Sequence, residues 1–308
     1  MPTKPKKSFY WGFTMVLLSA VCFSMKAIFI KLIYRAAPVD AITVLALRML
    51  FALPFYVLTA LVLWRQEGNQ QLSGRQWLTI GILGVLGYYL SGILDFMGLQ
   101  YITAGMERLI LFLYPTFALL MSAMFFGKRI TTIQWQALLL AYIGIVIAFV
   151  GDIGHLNTGA HLVLGCLLVA GCAVAYAFYM VGGAEIILQV GAMKFTAYAL
   201  IFSTLGVFTH YLLQYGFQPR HFSSYTISMS VCLAVISTVL PTFLLSAGMK
   251  YVGAGNAAII GIVGPVATIL LAMFFLQESV SWPQLLGTVL VLAGVWLIGK
   301  KKTATERS

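Results

Sequence analysis

Charge is what this sequence has least of: Asp, Glu, Lys and Arg together make up 9% of its 308 residues, whereas soluble domains carry about 25%. A chain so short of polar coat cannot have water as its main solvent. Its four cysteines, Cys22, Cys166, Cys172 and Cys232, all fall in apolar stretches, where free cysteine behaves as a small buried hydrophobe. Neither a disulfide framework nor a metal site is expected. His155, His161, His210 and His221 sit near the ends of apolar runs, which leaves no metal quartet and no Ser/His pair at depth. No G-x-x-x-x-G-K-[ST] loop is present, so ATP hydrolysis by this chain is not expected. No cofactor is implied.

What the sequence has in abundance is apolar surface. Hydrophobic residues make up 61% of it, and the mean hydropathy is +0.97. A bilayer core about 30 Å thick needs roughly 20 apolar residues per helix, and such windows recur along the whole chain. Polar and Gly/Pro punctuation divides them into about ten spans. Five lie near 11–32, 40–64, 76–99, 103–126 and 132–150, and five near 162–182, 193–214, 226–248, 254–276 and 282–299. Hydrocarbon offers no partner to an unpaired peptide group, so a spanning chain is helical or a closed barrel. Unbroken runs without period-2 alternation exclude the barrel. The expected fold class is therefore an all-α integral membrane protein, with short connections holding the spans in one bundle.

The segment from Met1 to Lys7 is basic, and the apolar run after it is longer than a signal-peptide core, so an uncleaved first span is expected. With the N-terminus cytoplasmic, Lys4, Lys6, Lys7, Arg65, Arg75, Lys128, Arg129, Lys194, Lys250, Lys300, Lys301, Lys302 and Arg307 all fall inside, against Arg35 and Arg220 outside. Both termini are thus expected in the cytoplasm of a multi-pass protein of the cell (inner) membrane. The net charge of +11 then serves topology and anionic lipid, not nucleic acid. The partners expected are the lipid bilayer and a small-molecule solute, with the chain acting as a monomer or homodimer.

Sliding the chain against itself by 150 positions aligns Gly98 with Gly248, Tyr101 with Tyr251, Ala104 with Ala254, Gly105 with Gly255, Pro115 with Pro265, Phe125 with Phe275, Gln134 with Gln284 and Gly144 with Gly294. Each copy holds an odd number of spans, so the two cross the membrane in opposite senses, the inverted-repeat arrangement of many secondary transporters. The charges follow: Lys128 and Arg129, placed inside, correspond to Glu278 and Ser279, placed outside. The repeats are expected at 8–151 and 161–300.

The segments GLQYITAGMERLILFLYPTFALLMSAMFFGKRIT (98–131) and GMKYVGAGNAAIIGIVGPVATILLAMFFLQESVS (248–281) resemble the signature of the EamA-like family of the drug/metabolite transporter superfamily. Lys31, Arg48, a mid-span proline in the fourth and ninth spans and the Gln-Glu after the ninth extend the resemblance over nearly the whole chain. It implies ten transmembrane helices in two inverted five-helix repeats around a central cavity, and export of amino acids, metabolites or drugs. The sequence departs from the commoner pattern at Glu107 and Arg108, where small residues would follow Ala-Gly, and at Gly127-Lys128 in place of Gly-Glu.

An ionisable residue inside a span costs about 2.5–3.5 kcal/mol even on the lenient insertion scale, so each needs a partner or a wet cavity. Lys26, Lys31, Arg48, Asp95, Glu107 and Arg108 all belong to the first repeat. Lys31 is read as snorkelling to the outer interface. Lys26, Arg48, Asp95 and Glu107 are the candidate charged lining, with a structural ion pair as the bland alternative. The second repeat contributes Tyr176, Tyr179 and Asn256 as candidate cavity walls. Pro115, Pro265 and Gly264 mark mid-span helix breaks, where transporters of this kind bind or gate. Arg48 is expected to hold a substrate carboxylate, with Asp95 or Glu107 taking an ammonium group or, in proton-linked transport, the proton. The competing function is a membrane-embedded enzyme acting on an amphipathic substrate, with Asp95 and Glu107 as acid and base.

Overall fold

The computed structural model describes residues 6–65, 71–126, 132–153, 159–217, 221–252, 260–261 and 263–305, and among them all regular structure is helical. In chain order the helices are α1 (Lys6–Ala36), α2 (Ala41–Arg65), α3 (Gly74–Gly98), α4 (Ala104–Leu111), α5 (Tyr114–Phe126), α6 (Thr132–Ile153), α7 (Gly159–Val190), α8 (Ala192–Tyr215), α9 (224–252), α10 (Val263–Leu276) and α11 (Trp282–Thr305). Among the described residues, seven runs are long and apolar enough to cross a membrane: Tyr10–Ala36, α2, α3, Ala104–Phe125, His161–Val190, α8 and Ser224–Leu245. α10 and Trp282–Gly294 are shorter apolar helices. The chain is a multi-pass membrane protein.

Local chemistry sets the ends of these helices. Ser73 accepts from Gln76 N–H, and Gln76 returns a bond to Ser73 N–H, a capping box that starts α3. Ser223 caps α9 in the same way through Thr226 N–H, and Thr103 caps α4 through Met106 N–H. Gly191 (φ 82) and Gly216 (φ 65) turn the chain at the two ends of α8, a conformation open to glycine because it lacks a Cβ.

The fourth apolar run keeps the length of one span but is interrupted into two helices. Pro115 has no N–H to give the Leu111 carbonyl, and Leu113 N–H turns back to Ile110 O at 3.0 Å. The helix stops at Phe112–Leu113 and restarts as α5. Three π-helical turns also occur, at Val85–Leu90 in α3, Val235–Val239 in α9 and Ala272–Leu276 in α10. Each rotates the side chains that follow it and marks a place where function tends to sit.

α1 packs against α9 and α10, while α7 packs against α3, α4 and α5. α2 lies on α8, and α6 on α11. Small residues let these backbones approach. A Cβ at Gly12 would lie 3.0 Å from Gly248 O, and one at Gly98 would lie 3.1 Å from Gly165 O. The glycine row of α3 has the same use: Gly84 abuts the Ala199 backbone and Gly87 the Tyr179 ring. A core of Ile28, Ile33, Leu45, Met49 and Phe96 fills the space between α1, α2 and α3.

Candidate functional site

Four helices deliver the intramembrane charges to one place. Lys26 on α1 donates from Nζ to Asp95 Oδ2 of α3 at 2.6 Å and to Glu107 Oε1 of α4 at 3.0 Å. Both carboxylates are buried, with 3% of the Asp95 side chain and none of Glu107 exposed, while 15% of Lys26 is exposed. One ammonium thus neutralises two carboxylates. The other oxygen of each, Asp95 Oδ1 and Glu107 Oε2, is buried without a hydrogen-bond partner. Buried polar atoms are rarely left so, because the lost solvation is not repaid.

Arg48, on α2, is not ion-paired with either carboxylate. Its Nε donates to Thr238 Oγ1 at 3.0 Å, and its guanidinium lies 5.6 Å from the centre of the Phe96 ring. Thr238 is in the π turn of α9 and passes its own proton to Leu233 O, five residues back. That extra residue per turn aims the hydroxyl at α2. Tyr34 OH fixes the other side by donating to Phe96 O at 2.8 Å.

Both halves contribute to an aromatic wall. Tyr176 and Tyr179 of α7 lie 5.6 Å apart, with Tyr114 of α5 5.2 Å from Tyr176 and Phe195 of α8 5.4 Å from Tyr179. Tyr88, in the π turn of α3, shares a hydrogen bond with Tyr179 at 3.2 Å. Cys172, one turn before Tyr176 on α7, lies within electrostatic reach of Lys26, Asp95, Glu107 and Arg48. Ser24 donates to Gly264 O at 2.9 Å, and Thr268 donates to the same carbonyl at 3.1 Å, tying α1 to the first turn of α10 beside Pro265. Asn256 lies outside the described residues.

At one end of the bundle two contacts tie helix ends together. Glu278, just after α10, accepts from Ala104 N–H at the start of α4, at 3.2 and 3.4 Å. Arg35 at the end of α1 donates to Leu276 O at 2.7 Å. Burial pushes the Glu278 carboxyl above the usual range, while Lys31, the Ala104 and Gly105 amides and Arg35 pull against that rise. Lys31 is half-buried, with Glu278, Arg35 and Glu107 as its charged neighbours. Gln284 of α11 fills the space at Gly105, where a Cβ would lie 2.5 Å from Nε2.

Glu278 was legible as a loop charge and as part of the family resemblance, not as a partner of α4, and Thr238, Ser24, Tyr88 and Tyr114 carried no distinguishing signal. A hydroxyl in an apolar run is common, and only the helix breaks and π turns show which ones face the charges.

The EamA-like transporter family matches this chain at residues 10–150 and 163–300. The uncharacterized transporter YcbK of Bacillus subtilis is 30% identical over 282 residues, which are 90% of this chain and 88% of that one. An uncharacterized transporter of Archaeoglobus fulgidus is 25% identical, covering 92% of this chain and 95% of its own length. The uncharacterized inner membrane transporter YicL of Salmonella typhimurium is 24% identical, covering 93% and 94%. A solved crystal structure superposes with a TM-score of 0.61 over 96% of both chains at 18% identity, a likeness of fold.

Proposed function

This chain belongs to the EamA-like transporter family, and we propose that it is a secondary carrier exporting a small amphipathic metabolite, an amino acid or related carboxylate, by alternating access. The observation that carries the reading is the Lys26–Asp95–Glu107 cluster, which leaves two carboxylate oxygens unpartnered between buried helices. A purely structural ion pair would be better replaced by apolar side chains. Charge kept at depth serves a solute or a coupled ion.

The architecture behind the reading is ten transmembrane helices, as two inverted five-helix repeats at 8–151 and 161–300. Three pairs of features support it, each pair about 150 residues apart. The Ser73 and Ser223 caps correspond, as do the π turns at Val85–Leu90 and Val235–Val239. The packing of α1 on α9 and α10 mirrors that of α7 on α3 and α5. Both termini are cytoplasmic in the cell (inner) membrane, so the end tied by Glu278 and Arg35 faces outward. The cavity is lined by Lys26, Arg48, Asp95, Glu107, Tyr176 and Tyr179, with the breaks at Pro115, Gly264 and Pro265 flexing as the halves rock.

The test is transport by purified protein in proteoliposomes of a panel of radiolabelled amino acids and carboxylates, with and without a proton gradient. Solute that crosses chemically unchanged, and only in the protein's presence, is the expected result. Conversion of the solute to product would establish the enzyme reading instead, and a panel that stays outside throughout would refute the carrier reading.

A further inference from the structure

Besides Arg48, the half-buried Arg108 has no ion pair among the described residues. Arg108 occupies the last turn of α4, immediately before the interruption at Phe112–Leu113. Its Nε is buried and has no hydrogen-bond partner. The nearest acid in the chain, Glu107, is engaged by Lys26 at 3.0 Å. A guanidinium presents five donors and cannot lose its charge in a protein, so one held at depth with an idle Nε is a site kept open for an acceptor.

The surroundings give that site its shape. The guanidinium lies 5.8 Å from the centre of the Phe112 ring, which covers one face. It rests against Gly264 of α10: a Cβ built on that glycine would stand 2.7 Å from Nη2, 3.5 Å from Cζ and 3.6 Å from Nε. Only a residue without a side chain leaves the fork lying there. Tyr114 and Tyr176 are within its electrostatic reach, and their rings continue into the wall formed by Tyr179.

We propose that the Arg108 guanidinium, seated on Gly264 between the interrupted α4–α5 run and α10, binds the carboxylate of the transported solute, whose apolar or aromatic portion lies along Tyr114 and Tyr176. A carboxylate matches the paired geometry of Nε and one Nη, so two parallel hydrogen bonds form. Arg48 is less suited to the task because its Nε already serves Thr238. Arg108 belongs to the first half and Gly264 to the second, so the solute's anionic group binds on the seam across which the halves move. This assignment rests on the carrier reading above.

The experiment uses full-length protein in proteoliposomes and three labelled probes sharing one ring: phenylalanine, phenylpyruvate and phenylalaninamide. Wild type is expected to take both carboxylates with half-saturation at least ~10-fold lower than the amide. Arg108→Gln should erase that ratio, and Arg108→Lys should restore part of it. Gly264→Ala keeps every charge and pushes the flexible guanidinium aside, so it should also cut the ratio while the protein elutes and melts as wild type does. That variant keeps the proposal testable if Arg108→Gln does not fold.

A ratio near one in wild type, or one preserved in Arg108→Gln or Gly264→Ala, overturns the carboxylate assignment and leaves the carrier reading standing, since solute still crosses. If none of the three probes crosses in wild type, the aromatic-carboxylate assignment falls, and the wider panel decides the carrier reading separately.

Discussion

Replacing Lys26 with Gln removes the one ammonium that holds two buried carboxylates. Lys26 Nζ lies 2.6 Å from Asp95 and 3.0 Å from Glu107, and neither acid has another partner for its second oxygen. Two magnitudes compete. Polar contacts between transmembrane helices are worth about 0.6 kcal/mol on average, whereas breaking a buried ion pair by deleting one member costs about 3–5 kcal/mol. The larger figure applies here, because the deletion leaves two carboxylates facing each other with no cation between them. At roughly 2–4 °C per kcal/mol, Lys26→Gln should lower the melting temperature in detergent by about 6 °C or more. Glu107→Gln should be far milder, since Lys26 keeps its shorter bond to Asp95. The triple variant Lys26→Gln/Asp95→Asn/Glu107→Gln removes charge and counter-charge together, so it should recover most of the lost stability yet fail to transport. A loss of about 1 kcal/mol or less in the single variant, or a triple variant no more stable than the single, would refute the reasoning.

Arg48→Gln breaks the bond to Thr238 Oγ1; a hydrogen bond to a charged group contributes about 1.5–3 kcal/mol. It should therefore lower folded yield in membranes while the ratio of carboxylate to amide transport persists, and loss of that ratio in folded protein would contradict this. Glu278 has its pKa raised above the ordinary 4.5 by burial, so the folded state holds its proton more tightly than the unfolded one. Its contribution to stability is complete below pH 4.5 and fades as pH rises through the folded value. Wild type should accordingly gain on Glu278→Gln as pH falls from about 7 to 4.5 in paired melting curves, and a loss over that window would count against it. A cytoplasm-active reporter fused after Lys302 should give signal and a periplasm-only reporter there should stay silent; the reverse would overturn the orientation.

The fold class could be read from composition because lipid removes the alternatives: with 61% hydrophobic residues in long unbroken runs, only helices satisfy the backbone. The charges inside the apolar runs could also be read, since charge at depth needs a partner or a wet cavity. Their pairing could not. Lys26 meets Asp95 across 69 residues and Glu107 across 81, and span depth alone equally allows Arg48 as the neutralising cation. What separates Lys26 from Arg48 is the π turn at Val235–Val239, which turns Thr238 toward α2 and occupies Arg48 Nε. A one-residue insertion in a helical turn has no compositional mark, because the same apolar residues fit an α turn. The role of Gly264 was hidden for a related reason. Beside Pro265 it reads as part of a break, whereas its contact is with Arg108, a side chain 156 positions earlier whose reach across the seam depends on where α4 stops. Helix interruptions decide both cases, and a proline predicts that an interruption exists without saying which side chain it aims.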